Sequence, residues 1–262
     1  MESIATAVNA FVQRLVDQVG GDAVSTTASD EFDRPASVAV RNVNGPITIV
    51  GSERDSVALR YTKRGPSADA LERVTIETWM DEAEGLFVEV VGADSSSVTV
   101  DLVLDVPRTV PIESVRTANG TIDVREARGD STIRTQNGTI TVIDHDGFVD
   151  LRCTNGTVEA NDVVGVDRVE TVNGTIALEI ESIRTDVDVR SSTGEIDLLV
   201  GNIDATVSLE TSLGSIDAPL FGESRTSIGH TVVNGRLGTG AHELTVVNSV
   251  GSIQFDSMEP AE

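Results

Sequence analysis

Few residues of this chain are of a type that does chemistry, and spacing decides what each could do. Three histidines, His145, His230 and His242, stand far apart, and only Asp144-His145-Asp146 sets metal-ligand types side by side. Consecutive residues of an extended segment point to opposite faces, so these three do not converge on one ion, and the run reads as an acidic turn in solvent. Cys153 is the sole cysteine, which excludes an intrachain disulfide; with no His or basic group at its position in the repeat described below, it reads as a packed, inert thiol. Asp123, Glu159, Asp197 and Asp217 each follow a glycine by three residues. Paired carboxylates of that kind could cleave sugars, but a glycosidase needs one acid in a groove that raises its pKa, and short uniform turns do not build one. No serine lies in a nucleophile elbow, and no phosphate loop or dinucleotide fingerprint occurs, so no catalytic residue, cofactor or metal is expected.

The elements that hold these residues announce themselves by repetition. Turn glycines stand at Gly120, Gly138, Gly156 and Gly174, 18 residues apart, and then at Gly194, Gly214, Gly235 and Gly251. The preceding residue is Asn119, Asn137, Asn155, Asn173 and, in the seventh unit, Asn234. Such regular recurrence is the mark of a repeat array. Two residues beyond each glycine stand Ile122, Ile140, Val158, Ile176, Ile196, Ile216, Leu237 and Ile253; two further stand Val124, Val142, Ala160, Leu178, Leu198, Ala218, Thr239 and Phe255. Period two puts each pair on one strand face. Five residues before the glycine the preceding strand supplies Val115, Ile133, Leu151, Val169, Val189 and Leu209.

An Asn-Gly pair fits a two-residue hairpin, but identical letters at one position favour a corner at which successive coils lie in register and the asparagines share a ladder of amide hydrogen bonds. Thr117, Thr135, Cys153, Thr171, Ser191 and Thr211, three before the glycine, form a second ladder of small residues. Outside, Arg116, Arg134 and Arg152 would stack, with Glu170, Arg190 and Glu210 following, as a solvated charge surface. The Asn-Gly-Thr segments also satisfy the glycosylation acceptor pattern, here a by-product of the repeat.

The expected fold is therefore all-β, a β-solenoid or parallel β-helix-like stack of short strands with a short N-terminal amphipathic helix. That helix is read from Ile4, Val8, Phe11, Leu15 and Val19, stopped by Gly20 and Gly21. The organisation expected is a helix over 1–21, a linker over 22–35, an N-terminal β region over 36–111 with a turn at Asn44-Gly45, the regular array over 112–256 and a polar tail over 257–262.

Charge narrows the partners. Asp and Glu number 43 against 19 Lys and Arg, a net charge of −24, and Lys63 is the only lysine. Such a surface repels phosphate backbones and anionic lipid. Acid excess with scarce lysine fits selection in high salt, where the Debye length falls to about 3 Å near 1 M. With neither a signal peptide nor an apolar membrane span, the expected location is cytoplasmic, with no stable membrane insertion.

The stretch VTVDLVLDVPRTVPIESVRTANGTIDVREARGD, continued by STIRTQNGTITV and VDLRCTNGTVEA, resembles the family of adhesin-like proteins called domain of unknown function 4097, over roughly residues 36 to 256. Its hallmarks are an apolar strand ending in Val-Pro and serial Asn-Gly or Thr-Gly turns. The resemblance, haloarchaeal in its salt-adapted composition, implies a β-solenoid-like fold and carries over no catalytic residue. The expected function is a noncatalytic scaffold or protein-interaction domain, with a protein partner or self-association through the N-terminal helix or the solenoid ends, and no nucleic acid. The alternatives are a surface adhesin, a bactofilin-like polymer and a polysaccharide-degrading β-helix enzyme.

Overall fold

Alternating Val, Ile, Leu and Thr with glycine between them make extended chain the default, and a computed structural model of the protein describes residues 15–18, 24–92, 97–222, 225–227 and 229–258. The described chain is all-β, apart from a five-residue α-helix, α1 (Ala68–Glu72), and a 3-10 turn at Pro219–Phe221. Among the described residues no helix is long and apolar enough to cross a membrane. Contacts divide the chain into two units, Met1–Gly129 and Asp130–Glu262.

The first unit holds β1 (Leu15–Gln18), β2 (Val24–Asp33), β3 (Ser37–Arg41), β4 (Ile47–Ser52), β5 (Ser56–Gly65), β6 (Val74–Met80), β7 (Gly85–Gly92), β8 (Thr99–Pro107), β9 (Ile112–Asn119) and β10 (Ile122–Arg128). Two ladders result. One runs β1, β2, β5, β8, β4, β10, antiparallel as far as β8 and parallel beyond. The other runs β6, β7, β3, β9, with only β6 antiparallel. The chain passes from the second ladder to the first at Asn44-Gly45 and again at Asn119-Gly120. Val38, Val40, Val88 and Val115 on one side and Ile47, Ile49, Leu102 and Leu104 on the other are buried.

Two sequence expectations fail here. Leu15–Gln18 is a strand paired with Ser25 and its neighbours, not the last turn of a helix; the rest of the expected helix lies outside the described residues. The expected linker is strand β2, ten residues long and in register with β5 from Val24↔Gly65 to Asp33↔Ser56. Its polar composition hid it, because β2 buries only Ala28 and Phe32. The lone lysine is also unlike a solvent charge: Lys63 is buried and donates to the carbonyls of Leu71 (3.1 Å), in the last turn of α1, and Val74 (2.5 Å), just past it.

The second unit holds β11 (Ser131–Asn137), β12 (Ile140–Asn155), β13 (Val158–Asn173), β14 (Ile176–Ser182), β15 (Val187–Thr193), β16 (Ile196–Val200), β17 (Ala205–Leu213), β18 (Ile216–Asp217), β19 (Arg225–Ser227), β20 (His230–Leu237), β21 (His242–Val250) and β22 (Ile253–Ser257). Parallel pairing aligns Ile133, Leu151, Val169, Val189, Val246 and Leu209 in one row. It aligns Ile140, Val158, Ile176, Ile196, Ile253 and Ile216 in another. All but Ile216 are fully buried.

The rows do not follow the chain. The last segment, β21 and β22, is inserted between β15–β16 and β17–β18, so the Gly251 coil separates the Gly194 and Gly214 coils that sequence order would stack together. Antiparallel β20 and β19 then cover the outer edge of β17. Asn234-Gly235 makes no corner: both residues lie within β20, opposite Ser208 and Val207. A Cβ on Gly235 would stand 2.1 Å from the Phe221 ring, so this glycine makes room for an aromatic side chain instead of turning the chain. Leu237 and Thr239 are correspondingly outside the rows.

The turn that feeds β21 into its slot is held by Asp204. Its carboxylate accepts from Thr239 Oγ1 (2.8 Å) and from the N–H groups of Gly240 (2.5 Å) and Ala241 (3.0 Å). These bonds, the Ala241 N–H foremost, hold its pKa below the ordinary carboxylate value. A depressed folded pKa stabilises above the unfolded value near 3.9 and is lost as pH falls through the folded value. Asp204→Asn should therefore lower the melting temperature at neutral pH, and the gap to wild type should shrink as pH falls below the unfolded carboxylate value; a gap that does not change with pH would remove the latch.

Candidate functional site

The outward face of the β6–β7–β3–β9 ladder carries the most unusual chemistry in the first unit. Alternation buries Leu86, Val88 and Val90 of β7, Val38 and Val40 of β3, and Ile112 and Val115 of β9. The intervening side chains point outward in two cross-strand rows set by the register. The first row reads Trp79, Phe87, Ala39, Ser114, and the second Glu77, Glu89, Arg41, Arg116. Large rings at one end and small residues at the other leave an open groove of about 320 Å³ over Ala39 and Ser114.

Trp79 and Phe87 stack with centroids 5.3 Å apart and planes 7° from parallel, and Trp79 keeps 42% of its surface exposed. Arg41 pairs with Glu89 at 3.2 Å. Arg116 is exposed and has no ion pair or hydrogen bond of its side chain among the described residues. Cross-strand like charges repel, and Glu89 relieves only the Arg41 side of the Arg41–Arg116 pair, in a chain of large acid excess. The groove thus offers an aromatic wall and a positive end 6–7 Å along the strands, at about 3.3 Å per residue. Ser114 is its one hydroxyl and Glu89, held by Arg41, its one carboxylate. This arrangement suits reversible recognition. Composition and the repeat did not reveal it, because Trp79 and Phe87 lie in the less regular N-terminal region and meet only through antiparallel β6–β7 pairing.

The repeat residues build the corners. Gly45, Gly120, Gly138, Gly156, Gly174, Gly194 and Gly251 have φ between +126° and +155°. A Cβ would fall 2.1 Å from the Gly45 oxygen at Gly120, and 1.7 to 1.9 Å from the preceding glycine's oxygen through the series Gly156, Gly174, Gly194, Gly251 and Gly214. The segments on either side of a corner pair with the equivalent segments of the next unit, as Ile133 with Leu151 before the corner and Ile140 with Val158 after it. Asn155 donates to Asn137 Oδ1 and Asn173 to Asn155 Oδ1, both at 2.9 Å, so these amide nitrogens of the acceptor motifs are engaged in the ladder. In the first unit Asn119 bridges to Asn44. Spatial order then replaces asparagine by Thr193, Val250 and Leu213.

Three residues before the glycine, a buried side chain reaches the neighbouring glycine carbonyl: Thr117 to Gly45 (3.3 Å), Cys153 to Gly138 (3.3 Å), Asn248 to Gly194 (2.8 Å) and Thr211 to Gly251 (3.0 Å). A second set of corners escaped the sequence reading. Glu126, Asp144 and Asp162, six residues after their glycines, adopt left-handed φ of 53°, 53° and 52°. The short side chain of aspartate tolerates that conformation, which Glu126 adopts as well, and the 18-residue spacing was the available signal. Asp144 and Asp146 are exposed, but His145 between them is buried at 1% and lies 3.3 Å from Ser131 Oγ, which corrects its reading as part of a solvent turn.

Register also separates the repeated acids. The row runs Thr141, Glu159, Ala177, Asp197, Gln254, Asp217, so a neutral residue divides each carboxylate from the next. Burial, then Glu195, raises the Asp197 pKa. On the outer charge row Arg134, Arg152, Glu170 and Arg190 are neighbours, with Val247 before Glu210; Arg152 bonds Asp150 at 2.9 Å and Arg190 bonds Asp188 at 2.7 Å. Arg184 covers the Phe148 ring at 4.0 Å while binding Asp167 (2.6 Å) and Asp130 (2.7 Å).

No family model and no curated protein matches the chain. Among solved structures it is similar to a putative cell adhesion protein from Clostridium sporogenes, at 10% identity and TM-score 0.32, covering 88% of this chain and 100% of that one. It is similar also to a putative adhesin from Bacteroides fragilis, at 9% identity and TM-score 0.39, covering 89% and 97%. A putative lipid binding protein from Parabacteroides distasonis gives 9%, 0.30, 90% and 97%. At such values the function has to be argued from this chain's own residues.

Burial, partly offset by the Asn155 N–H, pushes the Cys153 thiol above its ordinary pKa. Labelling of Cys153 by a thiol reagent at neutral pH should proceed at the rate of chain opening and speed up in step with denaturant. Stoichiometric labelling within seconds under native conditions would contradict the packed position.

Proposed function

We propose that the chain is a noncatalytic interaction module of β-solenoid type, working in concentrated salt, whose binding surface is the groove bounded by Trp79, Phe87, Arg41 and Arg116. One observation carries the reading: an exposed aromatic stack stands beside two adjacent guanidiniums, one of them unpaired among the described residues, on a chain of net charge −24. Contiguous exposed aromatic surface rimmed by polar groups, unlike a lone exposed ring, is a mark of interaction sites. The groove's own strands, β7, β3 and β9, are held in register by parallel pairing, a support on which it keeps its shape without a ligand.

The solenoid description is supported by the parallel, in-register rows of the second unit and by their glycine corners. The salt reading is supported by the acid excess and by the burial of the only lysine, which leaves exposed positive charge among the described residues to arginine. Growth into a polymer is disfavoured at the β17 edge, where antiparallel β20 and β19 replace the parallel template that another coil would extend.

The full chain should be applied to arrayed glycans, peptides and lipids in molar salt, beside Trp79→Ala. A selective signal that Trp79→Ala reduces at least tenfold, with the bound ligand recovered at unchanged mass, is the expected result. Signals indifferent to both Trp79→Ala and Phe87→Ala would move the binding surface elsewhere, and a cleaved ligand would end the noncatalytic reading.

A further inference from the structure

We propose that the groove takes an anionic sugar ring, a hexuronate residue of an oligosaccharide, with the ring face against the Trp79–Phe87 wall and the carboxylate between Arg41 and Arg116. This assignment rests on the groove being the binding surface and adds the class of ligand.

The cross-strand rows fix the shape. Neighbouring strands lie about 4.8 Å apart, so the floor over Ala39 and Ser114 is about one six-membered ring wide. Moving from the first row to the second advances two residues along each strand, about 6.6 Å. That matches the distance from the centre of a hexuronate ring, through its carboxylate, to a guanidinium in hydrogen-bond contact.

The charges fix the anion. Arg41 and Arg116 are directly opposite across β3 and β9, and among the described residues only Arg41 of the two has an acid in ion-pair contact, Glu89 at 3.2 Å. A carboxylate placed between the two forks gains charge-assisted hydrogen bonds and relieves their repulsion. The remaining rim separates a sugar acid from a flat aromatic acid. Glu89 and the Ser114 hydroxyl border a groove open to solvent. Such a rim serves a ring with hydroxyls around its edge and C–H groups on its face, whereas a wholly apolar ring is better held in an enclosed pocket.

Trp79 is the only tryptophan, so tryptophan emission, excited at the red edge where Tyr61 does not absorb, reads this groove. The full-length chain is titrated, at two salt concentrations, with a glucuronate tetramer, a neutral glucose tetramer and tetraglutamate. The glucuronate tetramer should change Trp79 emission saturably, with affinity falling as salt rises. The neutral tetramer should bind at least tenfold more weakly, and tetraglutamate should leave the emission unchanged. Arg116→Gln should weaken glucuronate binding at least tenfold. Arg116→Lys, which keeps the charge and loses the fork, should restore only part, and Glu89→Gln should tighten binding a few-fold by freeing Arg41. Arg116 is exposed and makes no side-chain hydrogen bond or ion pair among the described residues, so the two Arg116 variants should keep the wild-type melting temperature.

Equal affinity for the neutral tetramer would remove the role of the arginines and overturn the proposal. A response to tetraglutamate matching that to glucuronate would make the ligand an acidic peptide. No response to any of the three probes, with a Trp79-dependent ligand found on the arrays, would overturn the sugar-acid assignment and leave the groove as the binding surface.

Discussion

Everything regular in this protein depends on one steric fact: at each corner the carbonyl oxygen of one coil occupies the space where the next coil's Cβ would be. The series Gly156, Gly174, Gly194, Gly251 and Gly214 shows the same approach five times, within 1.9 Å of a hypothetical side chain. Close approach keeps the backbone ladder unbroken around the bend, as in Gly156 N donating to Asn173 O at 2.9 Å and Gly174 N to Thr193 O at 2.8 Å. Because hydrogen bonds continue through the corner, both aliphatic rows are held to one register, and a slip by one residue would turn every buried Ile and Val outward.

The same corner tolerates changes in what surrounds it. Thr, Cys and Asn all serve three residues before the glycine, because each can direct a donor toward the carbonyl of the adjoining coil. Asparagine just before the glycine gives way to Thr193, Val250 and Leu213, and the last two are exposed at 43% and 63%. The inserted coil belongs to this pattern. Since any unit with a compatible corner can sit on any other, the C-terminal strands can occupy a place that chain order would have given to β17 and β18, provided Asp204 and the turn glycines aim β21 into the gap.

Charge plays a different part in the two kinds of surface. On the repeat face, guanidiniums and carboxylates are interspersed along and across strands, as at Arg152, Asp150 and Glu170, and Arg134, Arg152, Arg168 and Arg190 each have an acid within 3.9 Å. On the groove face the pattern segregates into two acids followed by two bases, next to two rings. Alternation spends the field locally, whereas segregation leaves it directed outward, and the aromatic stack supplies an apolar contact beside it.

Periodicity alone determined the all-β class, the 18-residue unit, the buried rows and the glycine corners, because a period-two pattern repeated at fixed spacing has few solutions besides parallel strands in register. Strand β2 was not legible: its polar residues gain order from ten backbone pairings with β5, and no side-chain pattern records a partner 23 to 41 residues away. Nor was the seventh turn, since the letters Val-Asn-Gly read the same whether glycine admits a carbonyl oxygen or the ring of Phe221. The order of the coils and the groove were settled only in three dimensions. Both depend on which strands become neighbours, and equivalent repeats leave that choice to long-range pairing and to the few contacts, at Asp204 and at Trp79, that break the equivalence.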